Sequence, residues 1–537
     1  VRERDDGAFT YALDDPYIHL AMAKNFTEHG VWGVTRYEFS SASSSPLWTF
    51  LLAGWNVVFG VSDLAPLVLN VACSLAAIGL AYAYLNRRGL SDRALAVGLF
   101  AAAFVAPLPA LTVSGMEHTL QAVTVFAFAL VACRELADGS ASGLARPNSG
   151  AGRIAALALL AAVVTATRYE GLFVVFVICV LLLRQKKVWQ SAAVGAAAWA
   201  PITAYGAWSL ENGWPFFPVS VLLKRTTAPG FSGEELAETV LTLQKFLVNS
   251  FLAILLVVAA AAVLAERRRR RPRWEAVDYS LVLAVATACL HFAFARTGWF
   301  FRYEAYLVYW LILLLAGELP WLWAARRREQ ADAAAPLAPA WTGSFWRIAG
   351  VPLVLALLVR GGRSLLLCDD AMGSVYQQPV QSARFLQTYY NDQAVAVNDI
   401  GAVCWYGDSR VLDLYGLGSL QVAEAKLAKR FDTAEIERLT TQQGVRVAIV
   451  HDHWFTGSQS LPAKWERVGR WEIPLAVTVS AEGVSIYAVE PTERAALVAH
   501  LQEFAPRLPR VVQQSGAYVD EAPATVSPAS GKAAAPR

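Results

Sequence analysis

The sequence predicts a polytopic α-helical membrane protein with a C-terminal α/β domain outside the membrane. Three observations lead to this fold class. The 537-residue chain is 56% hydrophobic and 17% charged, with a mean hydropathy of +0.39, which is too apolar for a water-soluble globule of this length. Ten apolar stretches lie before residue 368. After that point, β-branched segments alternate with amphipathic ones, which is the pattern of a small α/β domain.

Eight of the apolar stretches approach the roughly 20 residues that a helix needs to cross a bilayer. They are residues 64–85, 94–111, 119–136, 188–210, 245–265, 279–296, 304–325 and 346–367. Two more, 153–167 and 171–183, are short and flank Arg168-Tyr169-Glu170, so we expect a hairpin of two short helices there. About ten spans therefore form a transmembrane domain over residues 1–367, and its last span is expected to be an ordinary anchor that joins the two domains.

The basic residues set the orientation of these spans. They cluster between spans, for example at Arg87-Arg88 and Arg267–Arg271, which is typical of cytoplasmic loops and is not the pattern of a nucleic-acid-binding protein. With every cluster in the cytoplasm, the spans alternate and the remaining loops lie outside. The expected external segments are 1–63, 112–118, 168–170, 211–244, 297–303 and everything after residue 367.

The first external loop, residues 1–63, raises two further expectations. Residues 47–60 are apolar but too short for a span, and counting them as one would invert every later loop, so we expect an interfacial or re-entrant helix. The chain begins at Val1 on the outside with no earlier span. We therefore expect a first transmembrane helix before this residue, with a processed signal peptide as the alternative.

The extracytoplasmic α/β domain is expected to cover residues 368–514. Its predicted strands are 394–399, 410–414, 445–451 and 484–490, and its predicted helices are 380–390, 421–430, 433–443 and 492–504. Residues 515–537 are rich in Ala, Pro, Ser and Gly and are expected to be a disordered tail. The similarly composed segment 329–343 is expected to be a flexible connection between the last two spans.

Five polar residues outside the spans carry weaker expectations. Cys368 and Cys404 lie outside the spans, and a single pair of this kind is weak evidence for a disulfide. Asp399, Asp408 and Asp413 flank predicted strand ends, where they either contact an acceptor or form turns.

The candidate catalytic groups are Asp14 and Asp15, which open the segment DDPYIHLAMAKN. With Pro16 as the first helical residue, Asp15 is the expected N-cap, and Gly30 ends the helix. Capping therefore explains Asp15 but not Asp14. Adjacent carboxylates repel each other, and against an apolar wall one of them acquires a pKa suited to proton abstraction. His19, one helical turn past Asp15, either orients a carboxylate or holds a phosphate.

A second set of charged residues falls at the external ends of the spans. It includes Glu117, His118, Arg168, Glu170, Lys224, Arg296 and Arg302. Charges at this depth are costly in lipid, so they face a cavity or one another. Arginine binds phosphate bidentately and lysine acts as a point charge, which makes Arg168, Lys224 and Arg302 the candidates for binding a phosphate. The alternatives are contact with lipid headgroups or structural ion pairs, Arg168 with Glu170 or Arg302 with Glu304.

Several short motifs occur in an order that resembles one superfamily of membrane enzymes. They are DDPYIHLAMAKNFTEHG (14–30), SSSPLW (43–48), VSGMEH (113–118), TRYEG (167–171), PFFPVSVLLKR (215–225), FRYEAY (301–306) and NDIGAVCWYGDSRVLDLYGLGS (398–419). Together they resemble the GT-C superfamily of polyprenyl-phosphate-sugar glycosyltransferases, in the branch that contains the cell-wall arabinofuranosyltransferases. The sequence departs from that branch at Tyr169, where its Arg-Pro-Glu-Gly turn has proline, and at Val219-Ser220, where it has Asn-Thr.

The resemblance implies a GT-C-like helical bundle in which an aspartate of the first external loop is the catalytic base. Asp14, or failing that Asp15, would deprotonate an acceptor hydroxyl, while Arg168, Lys224 and Arg302 hold the phosphate of a polyprenyl-phosphate-linked sugar. Direct displacement at the anomeric carbon would give inversion. The resemblance leaves the acceptor open among glycans, lipids and proteins.

The resemblance also implies a location and raises the question of a metal. The protein is expected in the bacterial inner membrane, with the active site and the α/β domain outside the cytoplasm and the domain steering an acceptor glycan. Some members of the superfamily bind divalent ions, and Asp14, Asp15 and Glu117 offer oxygen ligands for Mg or Mn. The spacing of these residues demands no cofactor, and no His or Cys spacing resembles a zinc site.

Two function classes other than an enzyme remain open from the sequence. A secondary transporter also places charges in a helical bundle, but such proteins usually have repeated halves with broken helices at mid-membrane. Here the charged residues collect at one face instead. A non-catalytic receptor or scaffold with a soluble sensor domain explains the α/β domain, but it gives no reason for Asp14-Asp15 beside several external cations.

Overall fold

The chain folds into two compact units, Tyr11–Met372 and a second made of Gly373–Arg537 together with Val1–Thr10. The computed structural model describes residues 9–141, 150–223, 233–271, 273–331 and 340–521. Within these residues the first unit is helical, and the second contains a six-stranded sheet.

The first unit is built from helices of very different length. They are α1 (Asp15–His29), α2 (Pro46–Phe59), α3 (Ala65–Arg87), α4 (Asp92–Val105), α5 (Leu108–Val113), α6 (His118–Ala141), α7 (Gly150–Thr167), α8 (Gly171–Arg184), α9 (Val188–Glu211), α10 (Val219–Leu222), α11 (Gly233–Arg270), α12 (Ala276–Phe294), α13 (Ala305–Ala331) and α14 (Ala340–Val375). Each apolar stretch of the sequence corresponds to helix, and 94–111 is divided between α4 and α5 near Pro107.

Length and composition make the chain a multi-pass membrane protein. Six described helical segments are long and apolar enough to cross a membrane, namely Ala65–Arg87, Asp92–Val113, His118–Asp138, Ser250–Arg270, Ala276–Phe294 and Ala305–Ala325. Three further apolar helices are shorter: Pro46–Phe59, Ala151–Thr167 and Gly171–Arg184. The last two form the expected hairpin, and the first matches the short helix expected at residues 47–60.

Two connections are more helical than the sequence suggested. α11 begins at Gly233, well before the expected start at residue 245. The expected flexible connection 329–343 starts and finishes in helix, because α13 runs to Ala331 and α14 begins at Ala340, while residues 332–339 lie outside the described residues. Alanine has the highest helix propensity of all residues, which favours helix at both edges of this Ala-rich segment.

The core of the first unit is a continuous apolar cluster contributed by most of its long helices. Phe126 of α6, Leu281 of α12 and Trp310 of α13 belong to it. A smaller cluster joins α1 to α2, where Trp48 and Leu52 of α2 pack with Ala23 of α1. Burial of this kind contributes about 25 cal/mol per Å² of apolar surface relative to water, and it fixes α1 against the bundle.

A buried ion network ties α11, α12 and α13 together away from the candidate site. Arg267, which is 1% exposed, donates to Asp278 at 2.6 Å, to Glu275 at 2.7 Å and to Glu318. All three guanidinium nitrogens are therefore occupied. The sequence placed this arginine in a cytoplasmic loop, whereas α11 continues through it to Arg270.

The second unit carries a mixed sheet of strand order β2-β1-β3-β5-β4-β6. The strands are β1 (Ala394–Val397), β2 (Arg410–Asp413), β3 (Val447–Val450), β4 (Glu466–Glu472), β5 (Gly483–Ala488) and β6 (Gln513–Ser515). The helices are α15 (Gln381–Tyr389), α16 (Gly401–Tyr406), α17 (Leu420–Leu427), α18 (Thr433–Gln442), α19 (Arg494–Phe504) and α20 (Ala517–Asp520). β1 pairs in parallel with β2 and β3, and the remaining pairs are antiparallel.

The second unit differs from its prediction at β4, β6 and the start of the tail. β4 and β6 were not predicted. The expected disordered tail begins in order, because Tyr518 of α20 is buried and accepts a 3.1 Å hydrogen bond from the indole nitrogen of Trp471. The rest of the tail, residues 522–537, lies outside the described residues. Cys368 and Cys404, both in the described part of the chain, are not joined by a disulfide.

Candidate functional site

The acidic pair stands at the start of α1. The helix begins at Asp15, one residue earlier than expected, so Asp14 occupies the N-cap position and Pro16 the second helical position. The cap residue has helical backbone angles and makes no side-chain capping bond. Gly30 ends the helix with φ of +70°, as the sequence suggested. Capping, the structural alternative for Asp15, is therefore not the role of this carboxylate.

The segment before the acidic pair is held by the turn between α5 and α6. The backbone nitrogen of Ala12 donates to the carbonyl of Val113 at 3.0 Å. Gly115 in this turn has φ of +72°, and a β-carbon there would lie 2.6 Å from the ring of Tyr11. A glycine is needed at this position both for its backbone angle and for the close approach of that ring. The VSGMEH motif thus positions the chain that leads into Asp14.

Asp15 is paired with Arg302, which comes from the segment before α13. The Nη2 atom of Arg302 donates to Oδ2 of Asp15 at 2.5 Å and to the hydroxyl of Tyr303 at 3.1 Å. Arg302 is 2% exposed, and its guanidinium also lies 4.9 Å from the centre of the Tyr303 ring. In the described part of the chain its Nε and Nη1 atoms have no hydrogen-bond partner. The guanidinium thus keeps two buried donors for a further acceptor.

Arg168 also lies against the ring of Tyr303. Its guanidinium is 5.6 Å from the centre of that ring, and it donates to Glu170 at 2.7 and 3.1 Å and to Glu117. All three of its nitrogens are therefore engaged by carboxylates. The pairing with Glu170 is the structural alternative considered from the sequence, and Tyr303 joins this ion cluster to Arg302.

The carboxylates of the cluster remain ionised despite their burial. Burial raises the pKa of Glu117, but Arg168 and the neighbouring histidines offset this and hold the pKa at about 2. The same opposition, with Arg168 as the main cation, holds the pKa of Glu170 at about 2. His118 is fully buried, with its ring edge-on to Tyr303 at 6.0 Å between centroids. Three of the four expected supporting residues thus belong to one cluster, in which Glu117 and Glu170 pair with Arg168 and His118 lies against Tyr303.

His19 faces a different set of groups. Its Nδ1 atom is 2.7 Å from the hydroxyl of Thr49, which in turn is 3.1 Å from that of Ser43. Thr49 directly follows the SSSPLW motif, and Ser43, the first residue of that motif, lies 3.5 Å from the same nitrogen. His19 still contributes to the field that lowers the pKa of Glu117. Lys224, the third expected phosphate ligand, lies outside the described residues.

Two residues near Arg302 were not singled out as candidates. Glu304, fully buried, accepts a 2.9 Å hydrogen bond from Arg360 and does not pair with its neighbour Arg302. Arg360 belongs to α14, which the sequence presented as an ordinary anchor. An arginine in an apolar span is itself a signal of function, because an unpaired charge in lipid is costly.

Oxygen and imidazole groups in the described residues form no metal site. No group of three or more His, Cys, Asp or Glu side chains is placed to hold a metal ion within that part of the chain. Glu117, one of the possible Mg or Mn ligands, is paired with Arg168.

The strand-end aspartates of the second unit have structural partners. Asp413 is buried, and its carboxylate accepts the backbone N–H groups of Tyr415 and Gly418 at 2.7 Å each, so it forms a turn. Asp399 lies 3.0 Å from Nε2 of His451. The backbone of Asp408 donates to the side chain of Asn391 at 2.9 Å.

Comparison with known sequences gives one match. The sequence model of a domain of unknown function, DUF8728, matches residues 371–487 in the C-terminal unit. No curated protein matches the chain significantly.

Solved structures match over most of the chain. ArnT from Cupriavidus metallidurans in the apo state is 13% identical, with 89% of this chain and 93% of that chain covered and a TM-score of 0.51. The crystal structure of ArnT from the same organism bound to undecaprenyl phosphate is 13% identical, covers 89% and 94%, and has a TM-score of 0.50. The chain has the GT-C fold.

The GT-C-like helical bundle predicted from the sequence is thus confirmed as a fold. An oligosaccharyltransferase, AglB from Archaeoglobus fulgidus in complex with an inhibitory peptide and a dolichol-phosphate, is 12% identical, covers 86% and 69%, and has a TM-score of 0.44. That likeness is too distant to support a fold assignment. The candidate site lies where the segment carrying Asp14 and Asp15 meets the segment that enters α13.

Proposed function

We propose that the protein is a GT-C glycosyltransferase that transfers a sugar from a polyprenyl-phosphate donor to an acceptor hydroxyl with inversion. The reaction would take place on the extracytoplasmic side of a bacterial inner membrane. Within the superfamily, the motif order favours the branch of the cell-wall arabinofuranosyltransferases. The acceptor would be a glycan, with a lipid or a protein as the other classes.

The observation that carries the proposal is the state of Arg302. Two buried donors of Arg302 have no partner among the described residues, and such groups are costly and rare unless a ligand completes them. A phosphate oxygen matches a guanidinium in charge and in geometry. One of the solved GT-C structures is bound to undecaprenyl phosphate, which is a ligand of this kind.

The proposed chemistry divides the roles between the two aspartates. Asp14 takes the proton of the acceptor hydroxyl, whose oxygen attacks the anomeric carbon as the bond to the phosphate oxygen breaks. The polyprenyl phosphate leaves with the bonding electron pair, and Arg302 offsets its developing charge, with Lys224 as the second cation. Asp15 holds Arg302 in place. Arg168, whose nitrogens are occupied, supports the site through Tyr303.

The binding of undecaprenyl phosphate by the full-length protein in detergent tests this assignment. We expect Arg302→Met to weaken the affinity by roughly 10- to 100-fold, the usual range for hydrogen bonds to a charged group. Arg267→Met is the matched control, because Arg267 is equally buried but all three of its nitrogens are paired. The control is expected to lower Tm without changing the affinity. Equal affinities for wild type and Arg302→Met would refute the donor site.

A further inference from the structure

The chain between α12 and α13 makes a left-handed turn immediately before Arg302. Gly298, Trp299, Phe300 and Phe301 have φ angles of +79°, +44°, +56° and +61°. Side chains other than glycine are strained in this region, and consecutive residues of this kind persist only where surrounding contacts hold them. The turn is therefore maintained by something other than its own backbone preference.

The ion pair of Glu304 and Arg360 contacts both ends of the turn. Oε2 of Glu304 accepts the backbone N–H of Gly298 at 2.8 Å, at the first residue of the turn. Nη2 of Arg360 donates to the carbonyl of Phe301 at 2.9 Å, at the last residue. Nη1 of Arg360 donates to Oε1 of Glu304 at 2.9 Å, which closes the circuit between the two ends.

Burial and further contacts restrict the geometry of the Glu304–Arg360 pair. Glu304 is 0% exposed and Arg360 is 7% exposed, so bulk water has little access to the pair. The guanidinium of Arg360 also lies 5.1 Å from the centre of the Phe301 ring, and its Nε donates to the carbonyl of Val105 at 3.3 Å. One side chain of α14 thus anchors the turn to the end of α4.

We propose that Glu304 and Arg360 are positioning residues for the donor-phosphate site. They clamp the left-handed turn 298–301 and so direct the guanidinium of Arg302, the next residue, toward the phosphate. This inference rests on the proposed function and adds two residues to it. Neither of the two touches the substrate; they act through the backbone from which Arg302 projects.

Loss of the clamp should weaken phosphate binding because it changes the backbone from which Arg302 projects. Without the Glu304 and Arg360 contacts, the strained residues relax toward right-handed or extended angles. Such a change reorients the bond from Cα to Cβ of Arg302, whose guanidinium is held at its far end by Asp15 and Tyr303. An arginine that must be reordered before it binds gives a weaker phosphate site.

The test compares two buried ion pairs, one with an acidic residue immediately before α13 (Glu304) and one with an acidic residue at the middle of α13 (Glu318). Glu304→Gln and Arg360→Met disrupt the clamp, whereas Glu318→Gln and Arg267→Met disrupt the other network, about 20 Å further along α13 at 1.5 Å per residue. Affinity for undecaprenyl phosphate and Tm are measured for all four full-length variants. We expect all four to lower Tm, but only the clamp variants to weaken the affinity, by at least 10-fold.

Arg360→Lys provides a graded variant in case Arg360→Met does not fold. Lysine keeps the charge beside Glu304 but lacks the planar fork that reaches both Glu304 and Phe301. We expect an affinity between those of wild type and Arg360→Met, or a loss of several-fold relative to wild type when the methionine variant is not recovered. Clamp variants that bind as tightly as their controls would overturn the inference.

Arg302→Met separates the two possible failures. If Arg302→Met weakens binding and the clamp variants do not, the clamp is wrong and the donor site stands. If Arg302→Met binds normally, the donor site itself fails, and the clamp fails with it. Hydrogen exchange of the peptide that covers 297–303 supplies a second readout, because loss of the clamp should increase exchange there and loss of the other network should not.

Discussion

Asp15 and Arg302 form an ion pair although they are 287 residues apart in the chain. The carboxylate is partly exposed, whereas the guanidinium is almost fully buried. The pair joins the first helix to the segment that enters α13, so it brings the acidic start of α1 next to the proposed phosphate site. Asp15 is thereby committed to a cation, and Asp14 is the proposed base.

The two aspartates should consequently respond differently to substitution. Asp14→Asn removes the proposed base and is expected to lower kcat by about 10²- to 10⁴-fold, with unchanged affinity for undecaprenyl phosphate. Asp15→Asn removes the carboxylate that holds Arg302 in place and is expected to weaken that affinity several-fold, because the guanidinium must then be ordered on binding. Single-turnover transfer and lipid binding are measured on the purified variants.

The donor for this assay is the lipid-linked sugar identified by mass spectrometry of the lipid that copurifies with the protein. A reversed result, in which Asp15→Asn is inactive and Asp14→Asn is active, would move the base to Asp15. Full activity in both variants would remove the aspartates from the mechanism altogether.

The apolar pattern of the sequence predicts the helices of the first unit, but not which loops meet. The turn carrying Glu117 and the turn carrying Arg168 were both expected at the external ends of spans. How the helices pack decides that these two turns meet. It also decides that Tyr303 lies against the guanidinium groups of both Arg168 and Arg302. Arg302 was considered as a partner of the nearby Glu304, yet the left-handed turn sends these two side chains to different partners.

The sequence likewise predicts some strands of the second unit and not others. β1, β2, β3 and β5 are apolar enough to be predicted, because both faces of their sheet are largely covered. β4 has the sequence ERVGRWE, whose charged residues hide the strand pattern, and β6 has only three residues. Their pairing in the antiparallel half of the sheet comes from tertiary contacts that no local pattern specifies.

Two neighbouring glycines of α14 make a matched test of the packing beside Arg360. A β-carbon at Gly361 would lie 2.1 Å from the ring of Phe104, whereas one at Gly362 would meet nothing within 4 Å. Gly361→Ala is expected to destabilise the protein by about 1–3 kcal/mol through overpacking. Gly362→Ala should stabilise it by about 0.5–1 kcal/mol, because alanine lowers the entropy cost of the helix.

Thermal unfolding in detergent measures both glycine variants against wild type. The expected order of Tm is Gly362→Ala, then wild type, then Gly361→Ala. A Gly361→Ala protein as stable as wild type would show that α14 does not approach Phe104 as closely as the structure indicates.

His451 gives the second unit a pH dependence of known sign. Its Nδ1 atom is 3.0 Å from the carbonyl of Gly483 and its Nε2 atom is 3.0 Å from Asp399, so only the protonated ring donates to both. Burial opposes the charge, but the bond to Asp399 outweighs it, and the pKa is raised above 6.5. The stability from this charge is therefore fully present below pH 6.5 and is lost as the pH rises through the raised pKa.

Hydrogen exchange of peptides that cover β1 and β3, in the full-length protein at pH 6 and pH 8, measures this effect after correction for intrinsic rates. Protection of both strands is expected to fall at pH 8 in wild type and to change little in Asp399→Asn, which lacks the charge that raises the pKa. His500→Gln is the control, because the pKa of His500 is lowered, chiefly by burial, and its loss should leave the response of β1 and β3 intact. Equal protection of wild type at the two pH values would mean that His451 is neutral throughout, with one of its two hydrogen bonds absent.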